Sequence, residues 1–242
     1  MIAKNPLTMV GRLDRCWQFI YHTPVDEARR ILPPPLEPIT HKGIAFWGVV
    51  MSRVGVMRPK PLPALVGVSY WHIGYRLYAR FRDIEGIWFA RSDCDSALMT
   101  VAGNWLTDYQ FHNATMACLG VNGSSELLVD SLGGQAWVSL HPQTATRLPP
   151  DSAFATLDEA ARFLQYKPRG ISVSPDGSVN IVQIERDESA WRTRLIEIPP
   201  ACYWEFFHDK NVQPEIGYEV EPIAYQWNRG QRYEWRRTAC GW

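Results

Sequence analysis

Lysine is nearly missing from this chain: only 5 of its 25 basic residues are lysines, Lys4, Lys42, Lys60, Lys167 and Lys210. The basic residues are balanced by 25 acidic ones, so there is no net field to gather nucleic acid or an anionic membrane surface. Long hydrophobic runs are lacking too. The longest, Ile44 to Met51, has eight residues, against the roughly 20 that a bilayer-spanning helix needs. The opening MIAKNPLTMVGRLDR has neither the apolar core nor the cleavage site of a signal peptide. Five cysteines (Cys16, Cys94, Cys118, Cys202, Cys240) are odd in number and form no C-x-x-C pair. That spacing argues against a disulfide framework or a structural zinc site. The expectation is a reduced, cytoplasmic protein with no membrane partner.

Other absences narrow the chemistry. The histidines never fall in H-x-H or H-E-x-x-H spacing, so no metal is expected. There is no G-x-S-x-G elbow for a serine triad, and no G-x-G-x-x-G or Walker loop for a nucleotide phosphate, so no cofactor is expected either. Cys94 lies between Asp93 and Asp95, whose carboxylates disfavour a thiolate, and reads as structural.

What is present is aromatic and arginine-rich, with 11 tryptophans in 242 residues, 46% of them hydrophobic. Both residue types favour planar contacts at buried or ligand-facing sites. The length suits one large domain, and no linker or repeat divides it. Three segments read as helices. Val25 to Leu32 is stopped by three prolines. A second runs from near Asp93 or Asp95 to about Trp105, and a third starts at the capping box Thr156-x-x-Glu159. The remainder reads as strand: 44–51, 70–81, 87–91, 114–121, 135–140, and 170–174 with 178–185 about the turn Pro175-Asp176-Gly177. Tyr225 to Trp227 and Tyr233 to Trp235 read as two paired strands about Asn228-Arg229-Gly230. The fold class is mainly β with a few short helices, a barrel or strongly curled sheet.

The long strand 70–81 carries the most informative pattern. Its odd positions, from Trp71 to Phe81, are apolar, and its even positions Tyr70, His72, Gly74, Arg76, Tyr78 and Arg80 are polar and aromatic. Period two leaves open whether the second face meets solvent or a ligand-filled lumen. The stretch Gly103 to Ala114 turns from helix into strand, a corner that can aim side chains into a cavity, with Tyr109 and His112 as the candidates and Trp105 just before them. The alternative is that Tyr109 packs and His112 is an ordinary histidine with a backbone partner. At the C-terminus, Arg229, Arg232, Arg236 and Arg237 alternate with Trp227, Tyr233 and Trp235, a pattern that suits either stacking on RNA or a hairpin at an interface.

That corner, Gly103-Asn-Trp-Leu-Thr-Asp-Tyr-Gln-Phe-His-Asn-Ala114, resembles the acetoacetate decarboxylase signature G-R-E-x-x-G-F-P-K-K-x-A, with Gly103 and Ala114 identical and Leu106 and Tyr109 conservative. Around it, W-x-F-I-Y-H-T-P-V-D-E-A-R-R-I-L-P-P-P-L-E-P, G-x-A-F-W-G-V-V, V-x-R-P-K-P-L-P-A-L, Y-R-L-Y-A-R, G-I-W-F-A-R-S-D and N-A-T-M follow in order. The succession resembles the bacterial domain of unknown function 2071 family, a branch of the acetoacetate-decarboxylase-like superfamily. The resemblance spans residues 17–199 and leaves 203–242 unplaced. It implies a single domain over 1–242, a curled β-barrel with a small ligand cavity, often homo-oligomeric. The decarboxylase forms a Schiff base through a lysine activated by a neighbouring cation. The resemblance sets Phe111 at that lysine, His112 at its neighbour and His72 at the family's glutamate, so imine chemistry does not transfer.

The expected function is therefore binding of a small anionic or carbonyl metabolite. Arg76, Tyr78, Tyr109 and Trp105 are the candidate binding residues, and His72 and His112 the candidate acid–base pair. An enzyme on this pattern would be a lysine-independent lyase or isomerase acting on an oxo acid. The alternative is a non-catalytic sensing module. RNA or partner binding through the tail is a further alternative, although the neutral composition does not favour nucleic acid.

Overall fold

The computed structural model describes residues 4–121 and 124–235. The first half of the chain forms β1 (Met9–Pro24), α1 (Val25–Ile31), the short β2 (Glu37–Pro38) and β3 (Thr40–His41), then β4 (Ile44–Pro59), β5 (Val68–Phe81), β6 (Ile84–Cys94), α2 (Ala97–Leu106), β7 (Phe111–Asn113) and β8 (Thr115–Val121). The second half forms β9 (Ser124–Asp130), β10 (Ala136–Ser139), α3 (Leu157–Phe163), β11 (Arg169–Val173), β12 (Val179–Arg186), β13 (Thr193–Ile196), β14 (Tyr203–Trp204), β15 (Gln213–Val220), β16 (Ile223–Trp227) and β17 (Gln231–Tyr233).

Seven strands close on themselves in the order β1, β16, β12, β11, β6, β5, β4 and back to β1. The closing ladder is the longest pairing, running antiparallel from Met9 opposite Pro59 to Pro24 opposite Ile44. Closure leaves these strands no free edge and gives each an inner and an outer face. β15 lies against the second half of β1 while β16 takes the first half. A second sheet, β14-β10-β9-β8, is separate from the barrel.

The odd face of β5 points outward and is not wet. Ile73, Tyr75, Leu77, Ala79 and Phe81 are buried in the largest core cluster, together with Trp47, Phe19, Trp204 and Phe207 and with Leu127, Val129 and Val138 of the second sheet. The even face is the inner one. The same two-sided burial explains β1, where Cys16 through Tyr21 are buried at both parities. This sixteen-residue strand has no counterpart in the sequence reading, because the charges of Arg12, Asp14 and Arg15 and two ladder irregularities interrupt any alternation.

A buried ion pair ties the second sheet to the barrel. Arg91 Nε donates to Asp93 Oδ2 at 2.9 Å and Nη2 to Oδ1 at 2.8 Å, and Ser131 Oγ donates to Asp93 Oδ1 at 2.7 Å. Arg91 Nη2 also donates to the Leu132 carbonyl at 2.8 Å. Gly134 admits this guanidinium, since a Cβ there would lie 2.6 Å from Nη2.

Two sequence expectations need correction. α2 starts at Ala97, because Asp93 is still in β6 and Ser96 is the residue whose hydroxyl caps the helix, accepting from Met99 N–H. Also, β16 and β17 do not pair with each other. Both lie along β12, with Trp227 opposite Ile184 and Tyr233 opposite Val179. Three residues separate them, but Asn228 N–H donates to the Gln183 carbonyl and holds the connection on β12. The hairpin about Pro175-Asp176-Gly177 is as expected, with Gly177 at φ +83° joining β11 to β12, and Thr156 caps α3 by accepting from Glu159 N–H at 3.1 Å. Among the described residues no helix is long and apolar enough to cross a membrane.

Replacing Asp93 with alanine strands Arg91 without its acid under the second sheet. The expected cost is about 3–5 kcal/mol in urea unfolding, with faster amide exchange at Ser131 to Gly134 than in the barrel strands. A loss below about 1 kcal/mol would show that the pair is not the tie.

Candidate functional site

The barrel holds a partly open cavity of about 200 Å³, larger than the roughly 150 Å³ that suffices for a benzene ring. The even face of β5 supplies Tyr70, His72 and Arg76, and β1 and β4 add Cys16, Gln18, Val50 and Ser52 at matching heights. A bulge in β6, where Tyr75 opposes Arg91 but Arg76 opposes Phe89, turns Phe89 inward while Arg91 and Asp93 face out. α2 covers one end through Met99, Ala102, Gly103 and Leu106.

Arg76 is the unusual residue. It is 7% exposed, and its Nε is buried without a hydrogen-bond partner. Its guanidinium lies 4.8 Å from the Phe89 ring centroid, a cation–π contact. No carboxylate among the described residues pairs with it, and none lines the cavity. Burial accordingly lowers its pKa from the ordinary arginine value. Gly74 makes room for the head group, since a Cβ there would stand 2.9 Å from Arg76 Nε and 3.2 Å from the His72 ring.

His72 sits two positions along the same face. Burial, and then the charge of Arg76, push its pKa down to about 3. The imidazole therefore meets the cavity uncharged near neutral pH, able to donate or accept one hydrogen bond but not to act there as a cationic acid. Its ring centroid is 5.7 Å from that of Phe111, so the two positions the resemblance sets at the family's glutamate and lysine stand together in the cavity wall. Phe111 fits because of Gly103, where a Cβ would lie 2.4 Å from the Phe111 ring. No lysine is among the described residues that line the cavity.

The remaining candidates divide. Tyr109 lines the cavity and packs on Phe89 at 4.3 Å between ring centroids, with its buried hydroxyl beside Asn5. Tyr78 does not line it. Its hydroxyl accepts from Gln18 Nε2 at 2.7 Å and donates to the Leu164 carbonyl at 3.0 Å, so both its roles are spent on holding the end of α3. His112 is exposed, because β7 runs parallel to β6 and its alternation sends Phe111 in and His112 out. Trp105 is 63% exposed, on the outer side of α2 with Leu98 and Val101, while Ala102 and Leu106 take the inner side. These three depart from the sequence reading. In the tail, Arg232 pairs with Asp176 at 2.9 Å and Glu234 at 3.2 Å, whereas Arg236 and Arg237 lie outside the described residues.

Sequence reasoning missed a second arginine. Arg186, at the end of β12, packs its guanidinium 3.4 Å from the Trp191 ring centroid and 4.2 Å from that of Tyr166. Its Nη2 donates to Glu188 at 3.3 Å, so unlike Arg76 it has an acid beside it. An arginine closing a strand with a tryptophan shortly after was the available signal. Cys16 and Gln18 were missed because β1 was. The Cys16 thiol, which burial pushes up to about 12, stays protonated despite both arginines.

Residues 16–126 match the model of the domain of unknown function 2071 family, described as an uncharacterized conserved protein. Among curated proteins none matches the chain. Among solved structures, an acetoacetate decarboxylase-like enzyme from Sphingomonas wittichii RW1 is similar over 96% of this chain and 94% of that one, at TM-score 0.60 and 15% identity. The fold is acetoacetate-decarboxylase-like. The same fold appears in the enduracididine biosynthesis enzyme MppR complexed with pyruvate, at TM-score 0.59 and 15% identity over 96% of this chain and 91% of that one. Acetoacetate decarboxylase from Legionella pneumophila subsp. pneumophila str. Philadelphia 1 also shares it, at TM-score 0.59 and 11% identity over 93% of this chain and 87% of that one. The acetoacetate-decarboxylase-like barrel here keeps the lumen that its sequence resemblance implied, with the wall residues described above.

The state of His72 has a consequence for stability. Unfolded, the imidazole takes up a proton below about 6.5, but folded it does so only below about 3. Its contribution is complete above 6.5 and is lost as pH falls, at roughly 1.4 kcal/mol per pH unit in between. Urea unfolding from neutral to acid pH should therefore show a shallower acid limb for His72→Gln than for wild type. Parallel curves would mean that His72 titrates normally in the fold.

Proposed function

We propose that the barrel binds a small organic anion, a carboxylate-bearing metabolite, with Arg76 as the partner of its charge. The observation that carries this is a buried guanidinium facing a cavity with no acid of its own. An ionised group withdrawn from water without a counter-ion costs several kcal/mol, and an entering carboxylate removes that cost while forming charge-assisted, bidentate hydrogen bonds. Arg186 at the same wall adds to the positive potential, and the neutral imidazole of His72 offers a further hydrogen bond. Pyruvate in the fold relative MppR is a carboxylate of this class.

Chemistry in this lumen would do without an imine, since Phe111 has no amine. Turnover would rest on polarisation of a carbonyl by Arg76 and Tyr109, the work of a lyase or isomerase rather than of a Schiff-base decarboxylase. Binding without turnover needs only the anion site, and incubation with a panel of oxo acids followed by product analysis separates the two.

Thermal unfolding tests the binding step. A carboxylate at one hundred times its Kd should stabilise the wild type by about 2.7 kcal/mol, or roughly 5–11 °C in Tm. Arg76→Met should lose that response and, without ligand, be more stable than wild type by about 1–3 kcal/mol, because an unsatisfied buried charge is gone. An Arg76→Met protein that is less stable and still stabilised by carboxylates would overturn the reading.

A further inference from the structure

The cavity has two unlike ends. Arg76 bends its head group over Gly74, where Cys16, Tyr166 and Arg186 give that end its polarity, and Tyr225 reaches both ends. Four residues back along β5, about 13 Å at roughly 3.3 Å per residue, Tyr70 belongs to a separate apolar cluster with Val54 and Met57, against which Met9, Met99 and Phe111 pack. All six of these side chains line the cavity. Leu106, Ala102 and Gly103 of α2 complete that end, and α2 has no charged residue in its ten positions.

A short oxo acid held at Arg76 leaves this second end empty. Three of the chain's six methionines, Met9, Met57 and Met99, stand there. Methionine is flexible and polarisable, and it adapts to apolar groups of varied shape. We propose that the ligand is an amphiphilic anion, a carboxylate bearing an apolar chain or ring, with its carboxylate on Arg76 and its apolar part against the methionines beneath α2. This rests on the anion reading above and names the class of carboxylate.

The test is a calorimetric titration at neutral pH of butanoate, hexanoate and octanoate, with the matching primary alcohols, into wild type, Arg76→Met and Met57→Trp. For wild type, Kd should fall about fourfold per added methylene, the equivalent of about 0.8 kcal/mol each, and the alcohols should bind at least about tenfold more weakly, as expected for loss of a charged hydrogen-bond partner. Met57→Trp, which fills the apolar end, should bind butanoate as wild type does and lose the gain for octanoate. Retained butanoate binding also shows that this variant is folded. Equal affinity across the series, with butanoate binding lost in Arg76→Met, would overturn the amphiphile inference and leave the anion reading standing. A chain-length gain unchanged in Arg76→Met would overturn both. Octanoate bound undiminished by Met57→Trp would mean that the chain does not lie at that end, and the inference would fail.

Discussion

Because β1 pairs with β4 along its whole length, the seven barrel strands have no free edge, and a side chain on an inner face is withdrawn from bulk water whatever its polarity. In an open sheet the even face of β5 would be an ordinary solvated surface, with Arg76 and His72 hydrated at no cost. Closure reverses that. It puts the polar face of β5 inside and the apolar face outside, where the second sheet and the Trp204 and Phe207 segment must cover it. The second sheet is thus a consequence of the ring, and the Arg91–Asp93 pair fastens it to the barrel wall.

Enclosure then sets the electrostatics of the lumen. Arg186 reaches Glu188 near the solvent and stacks between two aromatic rings, with its Nε and Nη1 buried without hydrogen-bond partners. Arg76 has only the face of Phe89. A ring quadrupole contributes about 2 kcal/mol or somewhat more when desolvated, short of the several kcal/mol of burying an ion. The shortfall is carried by the rest of the domain's stability. His72 responds to the same field. Beside an unanswered cation and out of water, its neutral form is the only one the cavity tolerates near neutral pH.

The parity of β5 was legible from sequence, and with it the residues that share a face with Arg76. Which side of the sheet that face occupies was not, since period two has no sign and the answer depends on β1, whose charged first half hides the strand. The same omission concealed Cys16 and Gln18. At the corner after α2 the loss was one of register. His112 and Phe111 are neighbours, and only the parallel pairing of β7 with β6 decides which of them turns inward. Tyr78 failed differently, being on the expected face but at a height where α3 closes the barrel and takes its hydroxyl. The tail aromatics alternate as read, but pairing with β12 rather than with each other is a long-range contact that no local pattern encodes.

The exchange of reactive residues for Phe111 and His72, at the positions the resemblance sets at lysine and glutamate, changes more than the chemistry of two side chains. A lysine and a glutamate facing one cavity give it a cation and an anion that answer each other. A phenylalanine and a neutral histidine give it neither, and no acid among the described lining residues shares the charge of Arg76. Gly103 allows the bulkier ring without displacing α2. The barrel thereby has a single-sign lumen in which Arg76, a cation with no acid beside it, stands among aromatic and methionine side chains. On the reading proposed above, such a lumen holds an anion by its charge and its apolar surface, without a lysine among the described residues of its wall.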